Sequence, residues 1–168
     1  MKFPSLFTFA ALALVVSQTA HAEIIGEHGD WTASKNSESG QRVCHMSAEP
    51  QSAKGNYTKR GAIYLIITHR PAEKRIGEVG VQAGYTFKKG SQVTATVDRK
   101  APFKMFTSAG FAWGESAKDD QAMIRAMRAG STLVIKGTSG RGTLTTDTYS
   151  LKGFTAAYKA ISKACGVK

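Results

Sequence analysis

Short segments with an apolar residue at every second position recur along most of this chain, and that period admits few folds. Val79, Val81 and Ala83 alternate with Glu78 and Gln82, and Val93, Ala95 and Val97 alternate with Thr94 and Thr96. Successive side chains of a strand point to opposite faces, so each run presents one dry side and one wet side. The run GAIYLIITH (61–69) is apolar on both sides, the pattern of a central buried strand. STLVIKG (131–137) and TLTTDTYSL (143–151) flank TSGRG and predict a hairpin. GDWTAS, RVCHMS, PFKMFT and GFAW are weaker strand candidates. Eight or nine short strands at this spacing predict a mainly β fold, a β-sandwich. The polar stretches SKNSESGQ (34–41) and PQSAKGNYTK (50–59) read as loops.

Two short helices are expected among the strands. The first covers about 116–129. Ser116 stands three residues before Asp119 in a capping position, acidic Asp119 and Asp120 lie at its start, and Arg125 and Arg128 lie near its end. Met123, Ile124 and Met127 form its apolar edge and read as core. The second covers about 154–165. At 100° per residue, Phe154, Tyr158, Ile161 and Cys165 fall on one stripe, and Gly166 ends the helix.

The chain starts MKFPSLFTFAALALVVSQTAHAE, with a positive Lys2, an apolar run to Val16 and the small-x-small site Ala20-His21-Ala22. This is the pattern of a cleaved secretory signal over residues 1–22. The run is too short and too interrupted for a membrane anchor. The remaining 146 residues, 23–168, fit one domain able to bury about two-thirds of its unfolded surface. The expected location is the periplasm, the outer surface or the medium.

Export bears on the two cysteines, Cys44 and Cys165. In an oxidising compartment two thiols pair, which predicts a disulfide fastening the last helix to an early strand; a free thiol is the alternative. No C-x-x-C supplies a metal set.

The residues supply no catalytic constellation. Of the histidines that survive cleavage, His28, His45 and His69, no two stand at metal-ligand spacing on a helix, and no G-x-S-x-G occurs. No cofactor or metal is expected, and no motif points to a specific nucleic acid. The GTSGRGT segment lies between strands and reads as a hairpin turn instead of a phosphate loop. With Lys2 removed the chain carries a net charge of +10, which favours encounters with anionic partners. Lys88, Lys89, Arg99, Lys100 and Lys104, joined by Arg70, Lys74 and Arg75, form a candidate anion-binding patch; the alternative is that they keep turns and strand edges solvated.

The segments GDW (29–31), RVCHMS, IYLIITHRPAEKRIGEVGVQAGYTFKKGS and VIKGTSGRGTLTTDTYSLKGFTAAYKAISKACG resemble the invasion-associated locus B (IalB) family from about Gly29 to Gly166. The cysteines match the family's positions; Val43 before Cys44 departs from its pattern. The resemblance implies an immunoglobulin-like β-sandwich exported by alphaproteobacteria, with no catalytic residues to carry over. It implies a part in host-cell association or envelope maintenance. The expected function is therefore binding of anionic envelope or host-surface components by a monomer without enzymatic activity. The alternative is a hydrolase of an envelope polymer that uses His69 or a carboxylate.

Overall fold

The computed structural model describes residues 22–168. The leader expected over residues 1–22 lies outside them, apart from Ala22. Eleven strands and two helices follow one another: β1 (Glu23–His28), β2 (Trp31–Glu38), β3 (Gln41–Ala48), β4 (Ser52–Gly55), β5 (Tyr64–Arg70), β6 (Arg75–Gln82), β7 (Val93–Val97), β8 (Phe103–Ser108), β9 (Phe111–Gly114), α1 (Ala117–Ala129), β10 (Thr132–Thr138), β11 (Leu144–Ser150) and α2 (Phe154–Cys165). The strands bond in the order β1-β2-β3-β5-β6-β9-β8-β7-β10-β11-β4, every neighbour antiparallel.

A flat sheet of this order would hold β2 and β11 eight strand spacings apart, about 38 Å. Instead the Asp30 amide donates to the Lys152 carbonyl at 3.2 Å, and the Trp31 indole N–H donates to the Ser150 carbonyl at 3.1 Å. The sheet is therefore rolled, and its two halves face each other across one interior. Ala33, Met46, Leu65, Ile67, Val79 and Val81 from one half meet Val93, Ala95, Met105, Leu133, Ile135 and Tyr149 from the other in a single buried cluster. The layered arrangement expected of a sandwich is present, its layers joined through β9 and β8.

The helices close this interior. Ser116 caps α1, its Oγ accepting from the Asp119 amide at 3.2 Å, and Met123, Ile124 and Met127 are buried. Phe154, Ala157, Ile161 and Cys165 of α2 are buried, with Phe154 edge-on to Trp31 at 4.9 Å between centroids. Cys44 and Cys165 are joined in a disulfide whose Cα atoms stand 6.0 Å apart. It ties α2 to β3 across 121 residues of chain.

Three expectations need correction. The polar stretch 34–41 is the β2–β3 hairpin, turning at Ser39 and Gly40. Within the other polar stretch, β4 pairs with β11. Both β4 and the unpredicted β1 are the outermost strands of the sheet; β4 is short and polar, as suits an edge, and β1 sets Ile24 and Ile25 side by side, so neither shows the apolar period. Finally, β5 is buried on one face alone: Leu65, Ile67 and His69 point inward, while Tyr64, Ile66 and Thr68 are half-buried on the outer side.

Candidate functional site

A cleft of about 670 Å³, the main cleft below, opens between the β4–β5 connection, the segment after β6 and the β10–β11 hairpin. Its floor is an ion pair. Arg60 Nη1 and Nη2 donate to the two carboxylate oxygens of Asp147 at 2.6 and 2.7 Å, with both side chains under 5% exposed. Arg60 Nε donates to the Ala83 carbonyl at 2.7 Å. The guanidinium lies over Tyr85 at 4.8 Å and Tyr57 at 5.5 Å. Burial opposes its charge, but the Asp147 hydrogen bonds and attraction outweigh burial and raise its pKa.

Each partner of this pair follows from its strand or loop. On β11, Thr145, Asp147 and Tyr149 share the inward side, so the alternation itself aims Asp147 under the cleft. Tyr85 bonds Thr145 Oγ1 at 2.6 Å. The loops carrying Arg60 and Tyr85 clasp each other: the Gly61 amide donates to the Gly84 carbonyl at 2.9 Å. Gly84 has φ +71°, and a Cβ there would meet the Gly61 oxygen at 2.4 Å, so only glycine permits the contact.

Because Asp147 satisfies Arg60, the floor is neutral in net charge and offers no cation. The walls are polar, from Asn56, Thr58, Thr86, Ser139 and Thr143. On the rim, Lys59 and Arg141 are exposed and form no ion pair among the described residues. Arg141 sits at the tip of the hairpin that the sequence predicts, with the Ser139 amide bonded to the Thr143 carbonyl at 2.9 Å. The arrangement suits a phosphate or carboxylate group held at the rim by two cations and by hydroxyl and amide donors below.

The eight cations expected to form one patch are dispersed over the surface. Arg70, Lys74 and Arg75 surround the β5–β6 turn, where Arg70 pairs with Glu38 and Arg75 is held by Glu78 and by Glu73 at 3.0 Å. These carboxylates engage the two guanidinium groups, while Lys74 forms no ion pair among the described residues. Lys88 and Lys89 follow Phe87 beside the main cleft, the Lys88 amide donating to Thr138 at 2.9 Å. Arg99 and Lys100 turn the chain at the other end of β7, about 13 Å away at strand rise, and Lys104 stands opposite Thr94 on β8.

His69 is a packing residue. It is fully buried, its Nδ1 accepts from the Gly77 amide at 2.9 Å, and Nε2 lies 3.1 Å from Ser162 Oγ. With Nδ1 accepting, the neutral ring carries its proton on Nε2 and donates to the serine. Burial pushes its pKa down to about 4. It lines neither the main cleft nor the second cleft, described below. Among the described residues no group of three His, Cys, Asp or Glu side chains is placed to hold a metal, and no helix is long and apolar enough to cross a membrane.

The model of the family described as invasion associated locus B (IalB) protein matches residues 31–162. The chain belongs to the IalB family. The match runs from Trp31, at the start of β2, into α2, and so takes in the main cleft. None of the curated proteins compared matches the sequence. Among solved structures, the crystal structure of invasion associated protein B from Bartonella henselae is similar, with a TM-score of 0.57 and 18% identity over 88% of this chain and 97% of that one. At that identity the likeness is one of fold. Sequence reasoning identified this family but not the Lys59, Arg60, Arg141 and Asp147 cluster, whose members lie far apart along the chain.

Proposed function

We propose that this IalB protein is exported and acts by binding, taking an anionic group of an envelope or host-surface component at the cleft above Arg60 and Asp147. In this reading the leader is removed after Ala22 and residues 23–168 act as one domain. The carrying observation is the pair of rim cations, Lys59 and Arg141, left without ion pairs above a floor whose own charge is already matched. A net charge of +10 for the exported chain supports attraction of anionic surfaces at a distance. Lys88 and Lys89 extend the positive rim. The printed name of the Bartonella protein associates that relative with invasion; for this chain we assign the broader role of envelope or surface association.

Vesicles containing phosphatidylglycerol, and purified lipopolysaccharide, test the reading by co-sedimentation. The wild-type protein is expected to bind both, with affinity that falls steeply as salt rises. Lys59→Ala with Arg141→Ala should weaken binding about tenfold, the loss of roughly 1.4 kcal/mol expected for two screened contacts. Removing Arg99, Lys100 and Lys104 instead should change little. Equal binding by wild type and the Lys59/Arg141 variant would remove the cleft from the account.

A further inference from the structure

A second cleft carries an observation that the first does not explain. On the outer side of the sheet, Ile66, Gly80, Trp113 and Phe106 stand opposite one another across β5, β6, β9 and β8. Trp113 covers Gly80, where a Cβ would come within 2.6 Å of the indole. Phe111 stacks on Trp113 at 5.5 Å, 17° from parallel, and Phe106 is 49% exposed. Trp113 and Phe106 form one wall of a cleft of about 480 Å³ that also touches Lys74, Glu78, Ser116 and Asp120.

Asp120 is 7% exposed. Its Oδ1 accepts from the Val79 amide at 3.2 Å. A Cβ on Gly114 would stand 2.0 Å from that oxygen, so the missing side chain there makes room for the carboxylate. Among the described residues the Val79 amide is the hydrogen-bond donor to this carboxylate, Oδ2 is left without one, and Asp120 lines the cleft. The charged groups around it leave it uncompensated. Arg75 is held by Glu78 and Glu73, Asp119 is bonded to Ser116, and Glu78 adds a like charge. Lys74, which also touches the cleft, forms no ion pair among the described residues.

A carboxylate withdrawn from water without a cation is unfavourable unless something brings the cation. An aromatic face beside it attracts the same charge through the ring quadrupole. A single carboxylate is a poor metal site, whereas an organic cation satisfies both features at once. We propose that this cleft binds an organic ammonium group, its nitrogen over Trp113 and Phe106 and its charge directed at Asp120 Oδ2. In a zwitterionic ligand of the phosphocholine type, the anionic end reaches Lys74. The site is separate from the cleft above Arg60, and its ligand has the opposite charge.

Tryptophan emission reads this site directly, because Trp31 is 1% exposed and Trp113 is the tryptophan beside the cleft. Choline, phosphocholine and vesicles bearing phosphocholine headgroups are titrated into the purified protein. Saturable changes with choline and phosphocholine are expected, and vesicles compared with free phosphocholine distinguish a lipid source from a soluble one. Asp120→Asn, which keeps the side chain's shape, should weaken choline binding at least tenfold, while Lys59→Ala with Arg141→Ala leaves it unchanged. Burial raises the Asp120 pKa to about 6, so wild-type choline binding should weaken about tenfold one unit below that value as the carboxylate protonates. The Asn variant should show no such dependence. No saturable response to choline, or equal choline binding by wild type and Asp120→Asn, would overturn the proposal.

Discussion

Arg60 and Asp120 are both ionisable groups drawn out of water, and the molecule treats them in opposite ways. Arg60 meets Asp147 through two hydrogen bonds, gives a third to Ala83 and lies against two tyrosine rings. Asp120 has one backbone amide, on Oδ1, and no hydrogen-bond donor on Oδ2 among the described residues. A buried charge with all its partners is part of the architecture, and whatever the cleft above it binds must be held by other groups. A buried charge lacking a partner stores unfavourable free energy that a ligand of opposite sign relieves. The contrast assigns the first cleft's recognition to its rim and the second cleft's to its floor.

The largest effect should fall on both regions alike. Replacing Cys44 and Cys165 by serine releases a 121-residue loop, and the chain-entropy model puts the loss near 4–5 kcal/mol. Urea unfolding with and without reductant measures it, and both clefts should keep their ligands while the chain stays folded. Arg60→Met then breaks the pair alone. It strands a buried carboxylate and should lower stability by about 3–5 kcal/mol, whereas Arg60→Met with Asp147→Leu should recover most of the loss. A single substitution as mild as a surface change would mean that water screens the pair, and the contrast would fail.

Asp120→Asn should act in the other direction. The folded-state pKa of Asp120 stands at about 6 against an ordinary 3.8, because burial disfavours the charge. The folded chain therefore holds more protons than the unfolded chain between those values, and stability falls as pH rises through that window. Two units correspond to about 3 kcal/mol, so Asp120→Asn should be more stable than wild type near neutrality by up to about that amount. Thermal melts across the window should slope for wild type and lose most of that slope in the variant. Tyr85→Phe is the smallest change. It removes the bond to Thr145 and should lower stability by about 1 kcal/mol.

Much of this architecture is legible because its signals are local. The α1 start follows from Ser116 and Asp119, the end of α2 from Gly166, and the inward faces of β6 and β7 from the alternation of their valines. The edge strands lack that alternation: β4 is short and polar, as suits an edge that must not pair with other chains, and in β1 the two isoleucines are adjacent. The rolling of the sheet, which brings β2 against β11, depends on contacts more than a hundred residues apart. The main cleft was hidden for the same reason: Lys59, Arg60, Tyr85, Arg141 and Asp147 come from three connections and a strand. One trace was readable, since Asp147 lies between Thr145 and Tyr149 on a single side of β11 and an acid on an inward side calls for a partner. Asp120 looked like an ordinary helix-start charge. Asp119 takes that part at the Ser116 cap, and Asp120, one residue on, turns into the second cleft.

Amide chemical-shift mapping with glycerophosphate, the soluble headgroup of phosphatidylglycerol, tests most directly whether rim cations above a neutral floor receive the anion. The largest shifts should cluster at residues 58–61 and 139–143 and need about tenfold more ligand in the Lys59→Ala, Arg141→Ala protein, with the Arg60–Asp147 pair undisturbed. Shifts centred on Arg99, Lys100 and Lys104, or none that saturate, would contradict the account.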